Sequence, residues 1–381
     1  MKRTCVGAIG TVLVCLWSVA FATAQTQPQQ RPPLAEEVFK NVPVLRGMPV
    51  DEFMDTMGMF AAATGLNCTD CHTTETNDSW ENFAAETPLK QTARRMIVMV
   101  NALNKSSFGG ERKVTCFTCH QGGQRPKVIP DLRVQYGAPA EDPNDLDIAV
   151  PNIPGLPSAA QILDNYIKAI GGIQRAAGLT SYVARGTYAG FDTGHVEVAV
   201  EVYAKAPNQR TLVVHAPFGE KVSTYDGRAA WMASADRPIP LMALTGGNLD
   251  GARVEAVLAF PAQIRQAFAQ WRVGVTTIDD RDVYVAQGTR AGQLPVNLYF
   301  DQQSALLIRM VRWSETAVGR VPTQVDYADY RDVAGVNMPF RWTSTWTNGQ
   351  HTIVLSDVQA NAPIDGTRFG RPAPAPPPTL R

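Results

Sequence analysis

The sequence predicts a mainly α-helical N-terminal domain followed by an α+β domain built on a large antiparallel sheet. Up to about residue 110 the apolar residues recur at the helical spacing of three and four, whereas beyond about residue 190 they alternate with a period of two. A Pro-rich stretch separates the two patterns. We therefore expect one domain at residues 25–130, a linker at 131–157, a second domain at 158–370 and a Pro-rich tail at 371–381.

The composition of the whole chain narrows the class of protein only slightly. The 35 basic side chains (Lys and Arg) balance 35 acidic ones, so the formal net charge is zero and nothing suggests a nucleic-acid partner. No nucleophile with its base, no glycine-rich phosphate loop and no pair of positioned carboxylates stands out. We therefore do not expect an enzyme that makes or breaks covalent bonds.

The N-terminus has the pattern of a signal peptide, which we assign to residues 1–24. A basic start precedes an apolar run over residues 6–22, and a small-x-small cleavage pattern ends at Ala24. We expect export to the periplasm and a mature chain that begins near Gln25. The apolar run is also close to the length that spans a bilayer, so an uncleaved segment that anchors the protein to the cytoplasmic membrane is the alternative.

The motif Cys-x-x-Cys-His occurs twice and is the strongest functional signal in the chain. The two copies are Cys68, Cys71 and His72, and Cys116, Cys119 and His120. Two thiols one helical turn apart can add to the vinyl groups of one haem, and the next histidine then binds the iron. A four-thiolate zinc site and a redox disulfide share the Cys-x-x-Cys spacing, but neither explains a histidine after both pairs. We therefore predict two covalently bound haem c groups.

A helix is predicted upstream of each motif. The first begins after Pro49 and ends at Gly65, while the second has Thr87 as its N-cap, Pro88 at its first position and Gly109 beyond its end. Helix, loop and motif recur in the same order. We interpret the region as an internal duplication in which each unit presents one helix to one haem.

The second protein ligand of each iron is predicted to be a methionine. His72 and His120 are the only histidines before residue 195, and a thioether is the usual ligand where imidazole is unavailable. Methionines cluster on both predicted helices, with Met54, Met57 and Met59 on the first and Met96 and Met99 on the second. Because a methionine on an apolar helix face is often part of the core, spacing alone leaves these candidates open.

Four segments between Glu36 and Pro126 resemble the cytochrome c subunit of photosynthetic reaction centres. They read EFMDTM, NCTDCH, TPLKQTARRM and VTCFTCH. In that family a methionine upstream of each motif binds the haem of that motif, so the resemblance implies Met57 as axial ligand of the first haem and Met96 of the second. Arg94 and Arg95 precede Met96 in the sequence. One of them would pair with a haem propionate, or both would lie on a solvated helix face.

The resemblance implies electron transfer outside the cytoplasmic membrane, with redox proteins as partners. The acceptor would be the photo-oxidised special pair in the membrane subunits of a reaction centre. The best-known members of the family carry four haems, whereas this chain carries two motifs. The residues are therefore equally compatible with a periplasmic carrier in a non-phototrophic cell.

The second domain is predicted to begin with an amphipathic helix that Ser158 caps. Strands are predicted at residues 196–203, 211–215, 229–233, 283–288, 296–300, 306–313, 323–330, 341–346 and 352–358, with a helical interruption at 252–270. This order resembles the half-barrels of periplasmic lipoprotein carriers, which implies lipid binding by the β domain as a third functional hypothesis.

Three side chains on one predicted strand bear on that hypothesis. Trp342, Ser344 and Trp346 share a strand face, where they would line a lipid-sized cavity or pack as ordinary core between sheet and helix. The histidines beyond residue 190 show no metal-ligand spacing, so we expect them to be surface or strand residues.

Overall fold

The computed structural model of the chain describes residues 31–72, 80–126, 146–148, 150–151, 153–235, 237 and 239–376. The described residues from 32 to 376 belong to one compact unit. The predicted signal peptide and residues 131–145 of the predicted linker lie outside the described residues. Among the described helices, none is both long and apolar enough to cross a membrane.

The helices that carry the two motifs come first in the chain, and three more accompany the sheet. The described α-helices are α1 (Ala35–Val38), α2 (Val50–Thr64), α3 (Cys68–Cys71), α4 (Pro88–Ser107), α5 (Cys116–His120), α6 (Ala159–Ala169), α7 (Ile173–Gly178) and α8 (Gly246–Leu258). Short 3₁₀ turns lie at Trp80–Ala84, Phe191–Thr193, Pro261–Gln266 and Gly366–Phe369.

The two predicted helices upstream of the motifs are confirmed as α2 and α4. Helix α2 begins directly after Pro49 and ends at Gly65, whose φ of 68° is the left-handed conformation of a C-cap. Helix α4 begins at Pro88, and the Thr87 side chain accepts a hydrogen bond from the backbone N–H of Lys90. Local capping chemistry therefore sets the starts and ends that bring each motif to its place.

A single antiparallel sheet, accompanied by α6, α7 and α8, forms the rest of the described unit, which confirms the predicted fold class. Its strands are β1 (Ser181–Gly190), β2 (Val198–Lys205), β3 (Gln209–Ala216), β4 (Gly219–Tyr225), β5 (Ala230–Ala233), β6 (Leu241–Leu244), β7 (Gln270–Ile278), β8 (Arg281–Thr289), β9 (Val296–Asp301), β10 (Leu307–Thr316), β11 (Gly319–Val333), β12 (Val336–Trp346) and β13 (Gly349–Ala360). Across the sheet the order is β6-β5-β4-β3-β2-β1-β13-β12-β11-β10-β9-β8-β7.

Two meanders of consecutive strands meet at the centre of this sheet. Strands β1–β6 form one, strands β7–β13 form the other, and β1 pairs with β13 from Tyr182 opposite Ala360 onwards. The register shifts between Arg185 and Gly186. A Cβ at Gly186 would lie 2.0 Å from the carbonyl oxygen of Val354, so only glycine fits this close approach.

The inner face of the sheet, which we define as the face covered by α6 and α8, carries most of the core. Tyr166 and Ile167 of α6 pack with Phe300 and Met310 in one buried cluster. A second buried cluster lies on β1, β2, β12 and β13 and includes Ile353. Helix α8 and the 3₁₀ turn after it confirm the helical interruption that was predicted within the strands.

Candidate haem site

The backbone holds the ring of His72, which directly follows α3. Nδ1 lies 3.0 Å from the carbonyl oxygen of Phe83. Because a carbonyl oxygen only accepts, Nδ1 carries the proton and Nε2 keeps a free lone pair. Burial lowers the pKa of His72, which favours this neutral form. A neutral imidazole whose other nitrogen donates to the backbone is the usual arrangement of a metal-binding histidine.

The second motif repeats this arrangement with a different partner. Nδ1 of His120 lies 3.0 Å from the carbonyl oxygen of Gly123. The same loop is fixed to the end of α2, because the backbone N–H of Gly122 donates to the carbonyl of Ala63 at 2.9 Å. Both motif histidines are therefore oriented by local backbone, and each presents Nε2 as the remaining ligand atom.

Short capped helices hold the two thiols of each motif about one turn apart. The side-chain oxygen of Asn67 accepts from the backbone N–H groups of Thr69 and Asp70 at 3.0 and 3.2 Å, so it caps α3. The side chain of Thr115 caps α5. No disulfide joins any of the four motif cysteines, all of which the structure describes. Nowhere among the described residues do three or more His, Cys, Asp or Glu side chains form a candidate metal-binding cluster.

The two helix–motif units interlock. Helix α2, upstream of the first motif, contacts α5 of the second, whereas α4, upstream of the second motif, contacts α3 of the first. The hydroxyl of Thr87 at the start of α4 also donates to the carbonyl of Cys71 at 2.6 Å. Each motif is therefore supported by the helix of the other unit, an arrangement that the predicted duplication did not include.

The candidate methionines differ in their surroundings. Met54, Met57 and Met96 line the same cavity of about 1110 Å³ as His72 and His120. Met59 is only 7% exposed and belongs to a buried cluster with residues of β11 and the turn before it, so it is a core residue. The cavity lining therefore keeps Met54, Met57 and Met96 as ligand candidates, and the resemblance selects Met57 and Met96 among them.

Arg94 and Arg95 occupy different surroundings. Arg94 lines the cavity, pairs with Glu86 and donates to the carbonyl of Asn41 at 2.9 Å. Arg95 lies on the exposed side of α4 and donates to the Thr92 hydroxyl at 2.9 Å. Of the two candidate partners for a haem propionate, only Arg94 lies at the cavity.

Two carboxylates on α2 connect the motif region to the sheet. Asp51 is 2% exposed, and its carboxylate accepts from the backbone N–H of Thr245 at 2.6 Å and from the Thr245 hydroxyl at 2.9 Å. Asn248 donates to Asp55 at 2.7 Å. Burial raises the pKa of Asp51, and it raises that of Asp55 to about 6. These contacts orient α2 relative to α8, and nothing in the sequence spacing indicated them.

The cavity continues from the motifs to the inner face of the sheet. Trp342, Ser344 and Trp346 all line it, as one of the two predicted alternatives required. Trp342 also packs against both core clusters, so the other alternative, ordinary core, applies to that side chain as well. The sheet and the motif helices therefore enclose one shared space.

Comparison with known proteins covers the two parts of the chain separately. Residues 17–141 match the family model of the photosynthetic reaction centre cytochrome c subunit. The reaction centre cytochrome c subunit of Thermochromatium tepidum is 37% identical over 101 residues, which are 25% of this chain and 23% of that protein. The subunit of Rubrivivax gelatinosus is 33% identical over 120 residues, 30% of this chain and 31% of that protein.

The second part is similar to solved structures of another kind. A LolA superfamily protein from Nitrosomonas europaea has 16% sequence identity and a TM-score of 0.38, over 56% of this chain and 97% of that one.

The match to the curated cytochromes is partial, because the chain spans less than a third of the length of each. The predicted resemblance is confirmed for the N-terminal region: residues 17–141 are similar to the cytochrome c subunits of photosynthetic reaction centres.

Proposed function

We propose that this protein is an electron carrier with two covalently bound haem c groups that works outside the cytoplasm. The observation that carries the proposal is the repeated histidine geometry. His72 and His120 each follow a Cys-x-x-Cys turn, and each donates Nδ1–H to a backbone carbonyl at 3.0 Å. A four-thiolate zinc site or a disulfide uses no imidazole, so neither explains a histidine oriented in this way after both Cys-x-x-Cys turns.

The residues present fit this cofactor. One pair of thioether bonds would form at Cys68 and Cys71 and the other at Cys116 and Cys119, with Nε2 of His72 and of His120 on the two irons. Met57 and Met96 would each supply the second protein ligand of one iron. Haem iron supplies a site that takes up and releases one electron, and a thioether ligand raises its reduction potential relative to a second imidazole.

The electron acceptor is the more specific part of the proposal. Similarity to the reaction centre cytochromes supports an acceptor in the membrane subunits of a reaction centre, the photo-oxidised special pair. A periplasmic carrier that serves an oxidase or reductase would use the same haem pockets. An absorption spectrum of the protein, purified with its partners from native membranes, separates these cases, because bacteriochlorophyll bands accompany only the first.

A different function is favoured by one observation, the cavity under the inner face of the sheet. Trp342 and Trp346 line it, which would suit a lipid or lipoprotein-binding module with a redox domain. Lipid extracted from the purified protein in stoichiometric amount would support that function. Such lipid would not bear on the haem assignment, which has a separate test.

The axial ligands are tested by substitutions that keep side-chain volume. Met57→Leu and Met96→Leu should each abolish the near-infrared sulfur-to-iron band of one haem, because leucine has no thioether. Met59→Leu is the matched control, since this methionine is a core residue of the same helix as Met57. The full band in Met57→Leu would contradict its assignment, and loss of the band in Met59→Leu would move the ligand to that residue.

The number of haems has a separate test. Replacing both cysteines of either motif by alanine should halve the covalently bound haem measured as the pyridine haemochrome. Zinc in the purified wild-type protein with no haem would refute the proposal.

A further inference from the structure

An imidazole with an unused nitrogen lies in the cavity, away from the two motifs in the sequence. His351 of β13 packs beside two aromatic rings, with ring centroids 4.7 Å from Tyr188 and 5.5 Å from Trp346. Its Nδ1 is buried and has no hydrogen-bond partner among the described residues. All three side chains line the cavity. A buried polar atom without a partner is costly, so a bound ligand that supplies one is favoured.

Further polar groups line the same part of the cavity. Arg210 and Glu255 form an ion pair at 3.1 Å, and their side chains are only 15% and 30% exposed. Tyr166, Tyr182 and Tyr327 also line this space. Burial raises the pKa of all three, so they stay neutral phenols that can donate or accept hydrogen bonds. The wall thus combines flat apolar rings with several hydrogen-bonding groups.

This wall discriminates between classes of ligand. A saturated acyl chain makes no hydrogen bonds, so it would leave the imidazole nitrogen and the phenols without partners. A flat ring with oxygen atoms on opposite sides would stack on the aromatic faces and reach polar groups at both ends. A neutral imidazole nitrogen can pair with a hydroxyl or, as its other tautomer, with a carbonyl oxygen. Hydroquinones and quinones present these two groups in their two redox states.

We infer that the cavity binds a substituted hydroquinone or its quinone, with one ring oxygen on Nδ1 of His351 and the ring against Tyr188 and Trp346. Its use as an electron donor rests on the proposed haem function. Oxidation of the hydroquinone breaks two O–H bonds and gives the quinone, two electrons and two protons. One electron would go to each of the two haems, and the protons would go to water.

The test is equilibrium dialysis of the full-length, haem-loaded protein with a decyl-substituted benzoquinone. His351→Phe keeps an aromatic ring beside Tyr188 and Trp346 but removes the nitrogen, so the dissociation constant should rise roughly tenfold, as expected for one lost hydrogen bond. His215→Phe is the control, because this histidine does not line the cavity. Trp346→Leu gives a second variant that removes one stacking surface and should also weaken binding. Circular dichroism checks that each variant is folded.

Each outcome decides the inference. Tight binding by the wild type and by His215→Phe, with weaker binding by His351→Phe and Trp346→Leu, supports it. Equal binding by all four proteins, no binding by the wild type, or displacement of the quinone by equimolar palmitate overturns it. Haem content is read separately from the absorption spectrum of the same samples. Failure of the haem proposal is therefore distinguishable from failure of the ligand site.

Discussion

His351 should make the protein sensitive to acid. Burial lowers the pKa of this histidine from 6.5 to about 4, so the folded state keeps the imidazole neutral while the unfolded chain protonates it. The surrounding charges oppose one another: Asp192 and Glu255 raise the pKa, and Arg210 and Lys221 lower it. The free energy of unfolding that the neutral imidazole contributes is complete above pH 6.5 and is lost as the pH falls towards 4. At 1.36 kcal/mol per pH unit the loss is about 3 kcal/mol.

The comparison of wild type with His351→Phe isolates this contribution, because phenylalanine does not titrate. Urea unfolding followed by circular dichroism at pH 7, 6, 5 and 4 gives the free energy of unfolding of each protein. Relative to wild type, His351→Phe should gain about 3 kcal/mol between pH 7 and pH 4. A difference between wild type and His351→Phe that is the same at every pH would refute the reasoning.

Three substitutions test the contacts that position the site, each by urea unfolding. Asp51→Ala should lower the free energy of unfolding by about 2 kcal/mol, because a backbone N–H and a hydroxyl of Thr245 lose their acceptor; unchanged stability would contradict this. Gly171→Ala should lower the free energy of unfolding by about 3 kcal/mol, since φ is 113° and the new Cβ would lie 2.1 Å from a backbone carbonyl oxygen. Gly178→Ala, with open space around the new Cβ, is its control. Thr87→Ala should lower the free energy of unfolding by about 1 kcal/mol, because α4 loses its N-cap, and Thr92→Ala, within the same helix, should lower it by less.

The local features of the fold were predictable because they depend on neighbouring residues. The start of α4 at Pro88 and the end of α2 at Gly65 follow from capping and from the left-handed conformation that glycine adopts easily. All nine predicted strands overlap strands of the sheet. The four strands that the sequence did not predict are β1, β4, β6 and β7. Strand β1 begins with four consecutive buried residues, so it lacks the alternation on which the prediction relied.

For the candidate site, the sequence predicted the ligand residues but not the contacts that position them. The motif residues are named by spacing alone, and Met57 and Met96 by resemblance. The backbone partner of His72 lies eleven residues away, at Phe83, and no pattern in the sequence marks it. The contact between Asp51 and Thr245 joins positions 194 residues apart. Such contacts depend on the packing of whole elements, which single-sequence patterns do not encode.

The order of strands in the sheet constrains how the chain can fold. Each meander needs only hairpins between consecutive strands, which are local and form fast. The central pair of β1 and β13 joins residues as far apart as Tyr182 and Ala360, so loop closure makes it the slow step. During synthesis β1 exists long before β13, and its edge must wait until almost the whole chain is available. Folding should therefore depend on keeping that edge from pairing with other chains in the meantime.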